Sequence, residues 1–289
     1  MDYLRGQHQL SIRQACIVMG LSLSVYYYRS DRSGDTEVID LLTQVAEKHR
    51  TWGFWKMYWW IRKQGLPWNH KRVYRIYLSM KLNIRRKCKR RIPGREKESL
   101  TLPTAPNTVW SMDFMHDRLL NGSAFRVLNI IDDYNREVLN ITSDRSISSG
   151  RVIGELNKLL EWRGKPQHIR VDNGPEFLAH SLELWCAEQG ISLKFIQPGK
   201  PSQNAFVERF NRTYREDVLD QYLFEDLEQV REFSSRWMWE YNNERPHDSL
   251  QNLTPTEYLL KYGKRSAFPT FQQDNDNNEQ KFLISNVSV

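Results

Sequence analysis

Cysteine is scarce in this sequence, and the few cysteines are far apart. Only 3 occur among 289 residues, as Cys16, Cys88 and Cys186, and no two of them form a CxxC pair. An odd number of widely spaced cysteines excludes a disulfide framework, and the lack of CxxC pairs argues against a zinc module. This pattern predicts a reducing compartment, so we expect a cytoplasmic protein.

Long apolar runs are also missing. No stretch approaches the roughly 18 residues that a membrane span requires. Residues 1–8 lack the apolar centre of a signal peptide, and no repeat recurs at a fixed period. These absences predict a globular chain that does not insert into a membrane.

Positive charge, by contrast, is plentiful and is concentrated in the first third of the chain. Residues 1–100 carry 21 Lys and Arg against 8 Asp and Glu, whereas the remaining residues carry 21 against 27. Between Lys81 and Lys97, a run of basic residues is opposed only by Glu96. Such a division is typical of a protein that binds a polyanion with its basic part and holds metal ions with its acidic part.

The first 30 residues predict two short helices. Ser11 can cap a helix that Gly20 ends, and Ser22 or Ser24 can begin the next one. Residues 1–30 therefore predict either a short helix-turn-helix or a helical hairpin packed on a neighbouring element. Residues 31–36 are polar and contain glycine, which predicts a linker.

A second helical segment, residues 36–98, is the stronger candidate for DNA binding. Its aromatic-rich stretch 52–65 predicts a small core, with base stacking as the alternative. Asn69 can cap a helix in which Lys71, Arg72 and Arg75 share a face, which suits a recognition helix in the major groove. We predict that DNA contact continues through the next basic run, Arg85, Arg86, Lys87, Lys89, Arg90 and Arg91.

Beyond a proline-containing boundary at residues 92–106, the pattern changes to alternating strands and helices. It predicts strands over 108–113, 124–133, 136–143, 169–171 and 191–196, and helices over 149–162, 181–189, 201–217 and 224–241. The order β-β-β-α-β-α-β-α-α, with acidic residues after the first and fourth strands and on a later helix, matches a ribonuclease-H-like fold. We therefore predict an α/β catalytic core over residues 104–263, preceded by a small all-α region and followed by a polar tail over residues 264–289.

Three carboxylates stand out in this core. Asp113 and Asp172 each follow a short apolar or β-branched run, and Glu208 lies in a predicted helix with 35 residues between it and Asp172. Hard divalent cations prefer oxygen ligands, and two of them about 4 Å apart can serve the attacking and the leaving oxygen of phosphoryl transfer. One carboxylate shared between the ions, with one partner for each, would satisfy such a site.

Other acids compete for these roles. Asp132 and Asp133 lie at a predicted hairpin turn, where an aspartate stabilises the local backbone, so we expect them to be structural. Glu176 follows Asp172 by four residues, and the intervening Gly174 and Pro175 predict a loop that turns Glu176 away from the site.

The motifs around these acids resemble the integrase core of bacterial insertion-sequence transposases, which are similar to retroviral integrases. The resemblance rests on VDNGPEF (171–177), KPSQNAFVERFNRT (200–213) and YNNERPHDSL (241–250), and on NHKRVYR (69–75) as the family's helix-turn-helix. It implies that Asp113, Asp172 and Glu208 are a catalytic triad for two Mg²⁺ ions, with Mn²⁺ as a substitute. It also implies that Arg215, seven positions after Glu208 on the same helix face, holds a phosphate near the transposon end.

The function implied by this resemblance is metal-dependent cleavage at the terminal inverted repeats of an insertion sequence, followed by strand transfer into target DNA at the bacterial nucleoid. The implied partners are double-stranded DNA, further copies of the chain, and the product of an upstream frame. The family's active protein is usually a fusion with that product, which carries a leucine zipper, and this sequence shows no heptad zipper. The alternatives are a metal nuclease of the same fold and a DNA-binding regulator whose core only assists assembly, although an intact triad argues against the regulator.

Overall fold

The computed structural model describes residues 2–28, 34–84, 102–197 and 201–263. The chain forms two compact units, Met1–Lys87 and Cys88–Val289. The basic run Arg85, Arg86, Lys87, Lys89, Arg90 and Arg91 and the polar tail over 264–289 lie outside the described residues.

The first unit is helical wherever it is described. Its helices are α1 (Asp2–His8), α2 (Ile12–Val18), α3 (Leu23–Tyr27), α4 (Asp35–Lys48), α5 (Phe54–Lys63) and α6 (His70–Ser79). Ser11 caps α2 and Ser22, rather than Ser24, caps α3, while Gly20 adopts the positive φ that the intervening turn requires. The predicted linker over 31–36 is too long, because α4 already begins at Asp35.

The aromatic-rich stretch builds the core of this unit. Trp52, Met57 and Ile61 are buried and pack against apolar side chains of α4 and α6. Asn69 caps α6 through a hydrogen bond from the Lys71 N–H group to its side chain (2.9 Å), as its position in the sequence predicts. The apolar face of α6 packs into the core of this unit, and its basic residues lie near the surface.

The second unit contains a five-stranded mixed sheet in the part of the chain that the structure describes. Its strands are β1 (Val109–Arg118), β2 (Ala124–Asp132), β3 (Val138–Asp144), β4 (His168–Val171) and β5 (Ser192–Phe195), in the order β3-β2-β1-β4-β5. Strand β2 pairs antiparallel with both β1 and β3, whereas β4 runs parallel to β1 and β5 runs parallel to β4. This is the ribonuclease-H-like arrangement that the order of elements predicts.

Helices cover both faces of the sheet. Helices α7 (Ser149–Arg163) and α8 (His180–Gln189) pack on one face, and α9 (Ala205–Tyr214) and α10 (Leu227–Asn243) pack on the other, with α11 (Pro255–Tyr262) beyond them. The single helix predicted over 201–217 is divided into a 3-10 turn, α9 and the π-helical turn Arg215–Leu219. Among the described helices, none has the length and apolar character needed to cross a membrane.

Strand β1 is longer than the sequence predicts. It continues past Asp113 to Arg118 because β2 pairs with it over this whole stretch, whereas β4 pairs only with Val109–Ser111. Asp113 therefore lies inside a strand rather than after it. The parallel ladder to β4 ends two residues before Asp113, which opens the sheet at that point.

Candidate active site

Asp113 and Asp172 lie on the same face of the sheet. Ser111 of β1 is opposite Arg170 of β4 in the parallel ladder, and two residues later come Asp113, still within β1, and Asp172, the first residue after β4. Because side chains alternate between the two faces of a sheet, a step of two residues keeps both carboxylates on one face. Two segments far apart in the sequence thus bring their acids side by side where the ladder ends.

Hydrogen bonds orient the carboxylate of Asp113. Its Oδ1 atom accepts from the backbone N–H of Phe114 (2.9 Å), and its Oδ2 atom accepts from Nδ2 of Asn211 on α9 (2.7 Å). The Oδ1 atom of Asn211 in turn accepts from Nδ2 of Asn129 (2.7 Å), which is fully buried and pairs with Asp113 across β1 and β2. This chain of amides fixes both Asp113 and the helix that carries Glu208.

The sequence analysis missed both asparagines. Asn211 lies three residues after Glu208, which is nearly one helical turn, and it is a polar residue next to the buried Phe210. A polar side chain in an otherwise buried helical row is the signal that could have identified it. Nothing local identifies Asn129, because it lies 82 residues away from its partner.

The pKa of Asp113 reflects both its burial and the charges of the two other acids. Burial raises the pKa of Asp113, and the negative charges of Asp172 and Glu208 raise it further, to about 7, although hydrogen bonds from Phe114 and Asn211 oppose the change. Burial also raises the pKa of Glu208, against the influence of Arg212. Asp113 is therefore the carboxylate whose pKa both other acids raise.

Asp113, Asp172 and Glu208 are the side chains that could hold metal ions, as pairs that share Asp113. Within residues 102–197 and 201–263, no three His, Cys, Asp or Glu side chains converge on a single point. A shared-carboxylate site does not need such a trio, because Asp113 with Asp172 can serve one ion and Asp113 with Glu208 the other. Hard cations such as Mg²⁺ keep several waters, which complete the coordination.

Arg215 is attached to the same strand as Asp113. Its Nη1 atom lies 3.1 Å from Oδ2 of Asp117, and its Nη2 atom donates to the backbone carbonyl of His116 (2.8 Å). Asp117 follows Asp113 by four residues, so the two face the same way. The Arg215 side chain remains 37% exposed, on the side of the sheet that carries the acids.

The loop after Asp172 directs the Glu176 carboxylate to Arg126 of β2, on the face of the sheet where Phe114 packs, and the prediction that the loop turns Glu176 away from the site stays a prediction. A Cβ atom on Gly174 would lie 3.0 Å from Oδ1 of Asp172 and 3.7 Å from Oε2 of Glu176, so both carboxylates border this glycine. Arg126 of β2 donates a hydrogen bond to Glu176 and lowers its pKa. This long-range ion pair fixes the position of the Glu176 side chain.

The aspartates at the hairpin turn are structural, as predicted. Asp132 accepts hydrogen bonds from the backbone N–H groups of Asn107 (2.8 Å) and Tyr134 (2.9 Å). Asp133 is fully buried and pairs with Arg170 (2.8 Å). Both side chains therefore form contacts that stabilise the fold.

The basic residues of α6 are only partly available to a ligand. Arg72 and Arg75 form ion pairs with Asp35 at the start of α4, at 3.2 Å and 2.8 Å. These pairs hold α6 against α4, and the sequence analysis did not identify them. Lys71 is exposed and lies on the same side of the helix.

Comparisons with known proteins agree with this architecture. Residues 103–201 and 189–255 match models of the integrase core domain, and residues 34–91 match an HTH-like domain. An uncharacterized 31.7 kDa protein of insertion element IS407 from Burkholderia multivorans is 37% identical over 95% of this chain and 99% of its own length. An uncharacterized 39.2 kDa protein of insertion element IS476 from Xanthomonas euvesicatoria is 34% identical over 89% of this chain and 75% of its own length.

A solved structure of the simian T-cell lymphotropic virus intasome, in complex with the PP2A regulatory subunit B56 gamma, is also similar. It shares 18% identity over 73% of this chain and 74% of that chain, with a TM-score of 0.48. This likeness is too low to say anything about the activity of this chain.

The mixed sheet and the matches to the integrase core domain define the class of integrase-like polynucleotidyl transferases. Within that class, the chain belongs to the insertion-sequence transposases that carry an integrase core and an HTH-like domain, and it serves DNA transposition.

The raised pKa of Asp113 predicts how the metal-free protein responds to pH. A carboxyl group with a higher pKa in the folded than in the unfolded state binds its proton more tightly when folded, so stability falls as pH rises from about 4 to about 7. The full effect is at most about 4 kcal/mol, because each tenfold change in proton affinity is worth about 1.4 kcal/mol. Asp113→Asn should remove this dependence.

Thermal unfolding in chelator tests this expectation. The melting temperature of Asp113→Asn, relative to the wild type, should rise between pH 5 and pH 7 and then level off. Adding Mg²⁺ at pH 8 should then stabilise the wild type and leave the variant almost unchanged. If the two proteins kept parallel pH profiles, Asp113 would not have the raised pKa described above.

Proposed function

We propose that this chain cuts DNA at the ends of an insertion element and joins the freed 3′ ends to target DNA. The observation that carries the proposal is the crowding of negative charge around Asp113, which both Asp172 and Glu208 act on. Three carboxylates so close together repel one another unless cations lie between them. A site that gathers cations, in a chain that also contains an HTH-like domain, suits phosphoryl transfer on DNA.

The proposed cofactor is a pair of Mg²⁺ ions, for which Mn²⁺ can substitute. Asp113 would bridge the two ions, Asp172 would hold the first and Glu208 the second, since hard cations prefer oxygen ligands. When bound, the ions make a coordinated water or hydroxyl a stronger nucleophile and stabilise charge on the phosphate.

The hydrogen bonds of Asp113 leave it suited to the bridging role. An ionised carboxylate offers about four acceptor sites, two on each oxygen. Phe114 occupies one site on Oδ1 and Asn211 one site on Oδ2. Each oxygen therefore keeps a further site for one ion, while the two hydrogen bonds prevent the carboxylate from turning.

The proposed reaction has two in-line displacements at phosphorus. In the first, water attacks the phosphodiester at the end of the element, the bond between phosphorus and the 3′ oxygen breaks, and a 3′-hydroxyl is left. In the second, that hydroxyl attacks a phosphodiester of the target and displaces the target's own 3′ oxygen. No covalent bond between protein and DNA is required.

Arg215 is proposed to contact a phosphate near the end of the element. Its support is positional, because its contacts with Asp117 and the carbonyl of His116 hold the guanidinium beside β1 on the side of Asp113. Arginine suits such a role because its planar donor fork matches phosphate geometry.

The helices of the first unit are proposed to recognise the element end, through Lys71, Arg72 and Arg75 of α6. The run from Arg85 to Arg91 is proposed to bind the DNA backbone with little regard to sequence. Contacts of this kind release counterions, so binding should weaken steeply as salt increases.

The ion pairs with Asp35 allow a sharp test of α6. Lys71→Ala should lower affinity for element-end DNA about tenfold without changing the melting temperature, and should make the salt dependence shallower by about one ion. Arg72→Ala with Arg75→Ala should weaken DNA binding and also lower the melting temperature, because Asp35 loses both partners.

Asp35→Asn is the matched control for these substitutions. It weakens the attachment of α6 to α4 but leaves both arginines in place, so the melting temperature should fall while DNA binding persists. Equal losses of DNA affinity in Asp35→Asn and in the double arginine variant would show that the arginines act only through the fold.

We further propose that the active form contains several copies of the chain, each fused by frameshifting to the product of an upstream frame. Two DNA ends must be held at once, which needs at least two copies. The test of the proposal is cleavage of a labelled duplex bearing the element end in Mg²⁺. The fused protein should cut at the end far better than the isolated chain, whereas cutting without regard to the end sequence would favour a nuclease.

A further inference from the structure

The loop that carries Asp172 needs support from outside the sheet. The ladder between β1 and β4 ends at Ser111 and Arg170, so no backbone pairing to β1 fixes the residues that follow β4. On the other side, Asn173 Nδ2 donates to the carbonyl of Ile196 (3.1 Å), which ties the loop to the chain beyond β5. The distance between Asp172 and Asp113 therefore depends on side-chain contacts that reach β1.

Phe114 is the residue on β1 that provides these contacts. Its backbone N–H orients Asp113, and its ring stacks on the fully buried ring of Phe177 with centroids 4.9 Å apart. The guanidinium carbon of Arg126 lies 4.2 Å from the centroid of the Phe114 ring. The Phe114 side chain, next to Asp113, is thus in contact with two side chains that can anchor the loop: Phe177 and Arg126.

Arg126 supplies the second anchor through Glu176. Its Nη1 atom donates to Oε1 of Glu176, and both side chains are largely buried, at 21% and 18% exposure. In the described part of the chain, Oε2 of Glu176 has no hydrogen-bond donor. That oxygen borders Gly174, whose N–H in turn orients Oδ1 of Asp172 (3.0 Å).

We propose that Arg126 and Glu176 are positioning residues that hold the Asp172 carboxylate beside Asp113 so that the two can share a metal ion. This inference rests on the proposed function, because it assigns the pair a purpose in the metal site. Buried partners that orient metal ligands typically change metal affinity by about 10- to 100-fold when they are removed. Contacts with Phe114 fix the loop relative to β1. The ion pair between Arg126 and Glu176 prevents the loop from rotating about Gly174.

Binding of Mn²⁺ to the full chain, followed by electron paramagnetic resonance of the free ion, tests this without requiring catalysis. Glu176→Ala should weaken Mn²⁺ binding about tenfold or more. Glu176→Gln keeps an oxygen for Arg126 and should lose no more than about threefold, since a hydrogen bond from the charged guanidinium to a neutral amide replaces the ion pair. Arg126→Met combined with Glu176→Ala should be no worse than either change alone, because the two residues act as one unit.

Glu155→Ala is the matched control. Glu155 is similarly buried and ion-paired, with Arg151 and Lys158, but it lies on α7 away from the site, so the variant should bind Mn²⁺ like the wild type. In strand joining, saturating Mg²⁺ should restore most of the rate of Glu176→Ala, because only the metal affinity is weakened.

Wild-type Mn²⁺ affinity in Glu176→Ala would overturn the inference, as would an equal loss in Glu155→Ala or additive losses in the double variant. If Glu176→Ala does not fold, the Mn²⁺ affinities of Glu176→Gln and Arg126→Met are compared instead. Arg126→Met should bind Mn²⁺ more weakly than Glu176→Gln, and equal affinities would overturn the inference. A wild-type protein that binds no Mn²⁺ at all would overturn the proposed function itself, and the inference with it.

Discussion

Asp113→Asn, Asp172→Asn and Glu208→Gln should each reduce strand cleavage and joining by about a thousandfold or more. When residues act together in catalysis, loss of any one of them removes most of the rate. Each substitution removes one negative charge from the proposed metal site and keeps the volume of the side chain. DNA binding should be nearly unchanged, because the residues proposed to bind DNA are those of α6, the run from Arg85 to Arg91 and Arg215, and none of them is altered. The measurement is the yield of cleaved and joined strands, beside DNA affinity and melting temperature.

A matched control comes from the opposite face of the sheet. Glu161 is an exposed acid on α7, and Glu161→Gln removes the same charge without approaching β1 or α9. It should cleave and join like the wild type. Any triad variant that kept wild-type joining would remove that residue from the catalytic set.

Removal of divalent metal should have an effect as large as the loss of a carboxylate. Excess chelator should abolish cleavage and joining, and Mg²⁺ or Mn²⁺ should restore both, since an all-oxygen donor set suits these ions. Ca²⁺ should support DNA binding but little chemistry, because it tolerates loose and variable coordination.

The metal experiment needs a check that the metal acts at the site. DNA affinity should be measured in chelator, where it should persist, so that lost activity is not lost binding. Full cleavage in excess chelator would contradict the two-metal mechanism.

Much of the fold could be predicted because its signals are local. Ser11 and Asn69 cap the helices for which their positions are suited, and the strands of the core alternate or run apolar as a sheet requires. The end of β1 could not be predicted in this way. It finishes with the polar residues His116, Asp117 and Arg118, which resemble a strand end, but pairing with β2 continues to Arg118.

The supports of the site depend on contacts that no local pattern reveals. Asn129 meets Asn211 across 82 residues, and Arg126 meets Glu176 across 50. Asp35 likewise takes Arg72 and Arg75 across almost 40 positions. The spacing of the three acids predicts the candidate site, but the residues that orient those acids become visible only once the sheet has brought its strands together.

Strand transfer from a pre-cleaved element end is the most direct test of the central claim. A duplex with a 3′-hydroxyl at the element end, or the same duplex with a dideoxy terminus, is incubated with target DNA, Mg²⁺ and the protein, alone and fused to its upstream partner. The account predicts joined strands only from the hydroxyl-ended duplex and none with Asp113→Asn. Joining by the dideoxy duplex or by Asp113→Asn, or no joining by either form of the protein, would contradict it.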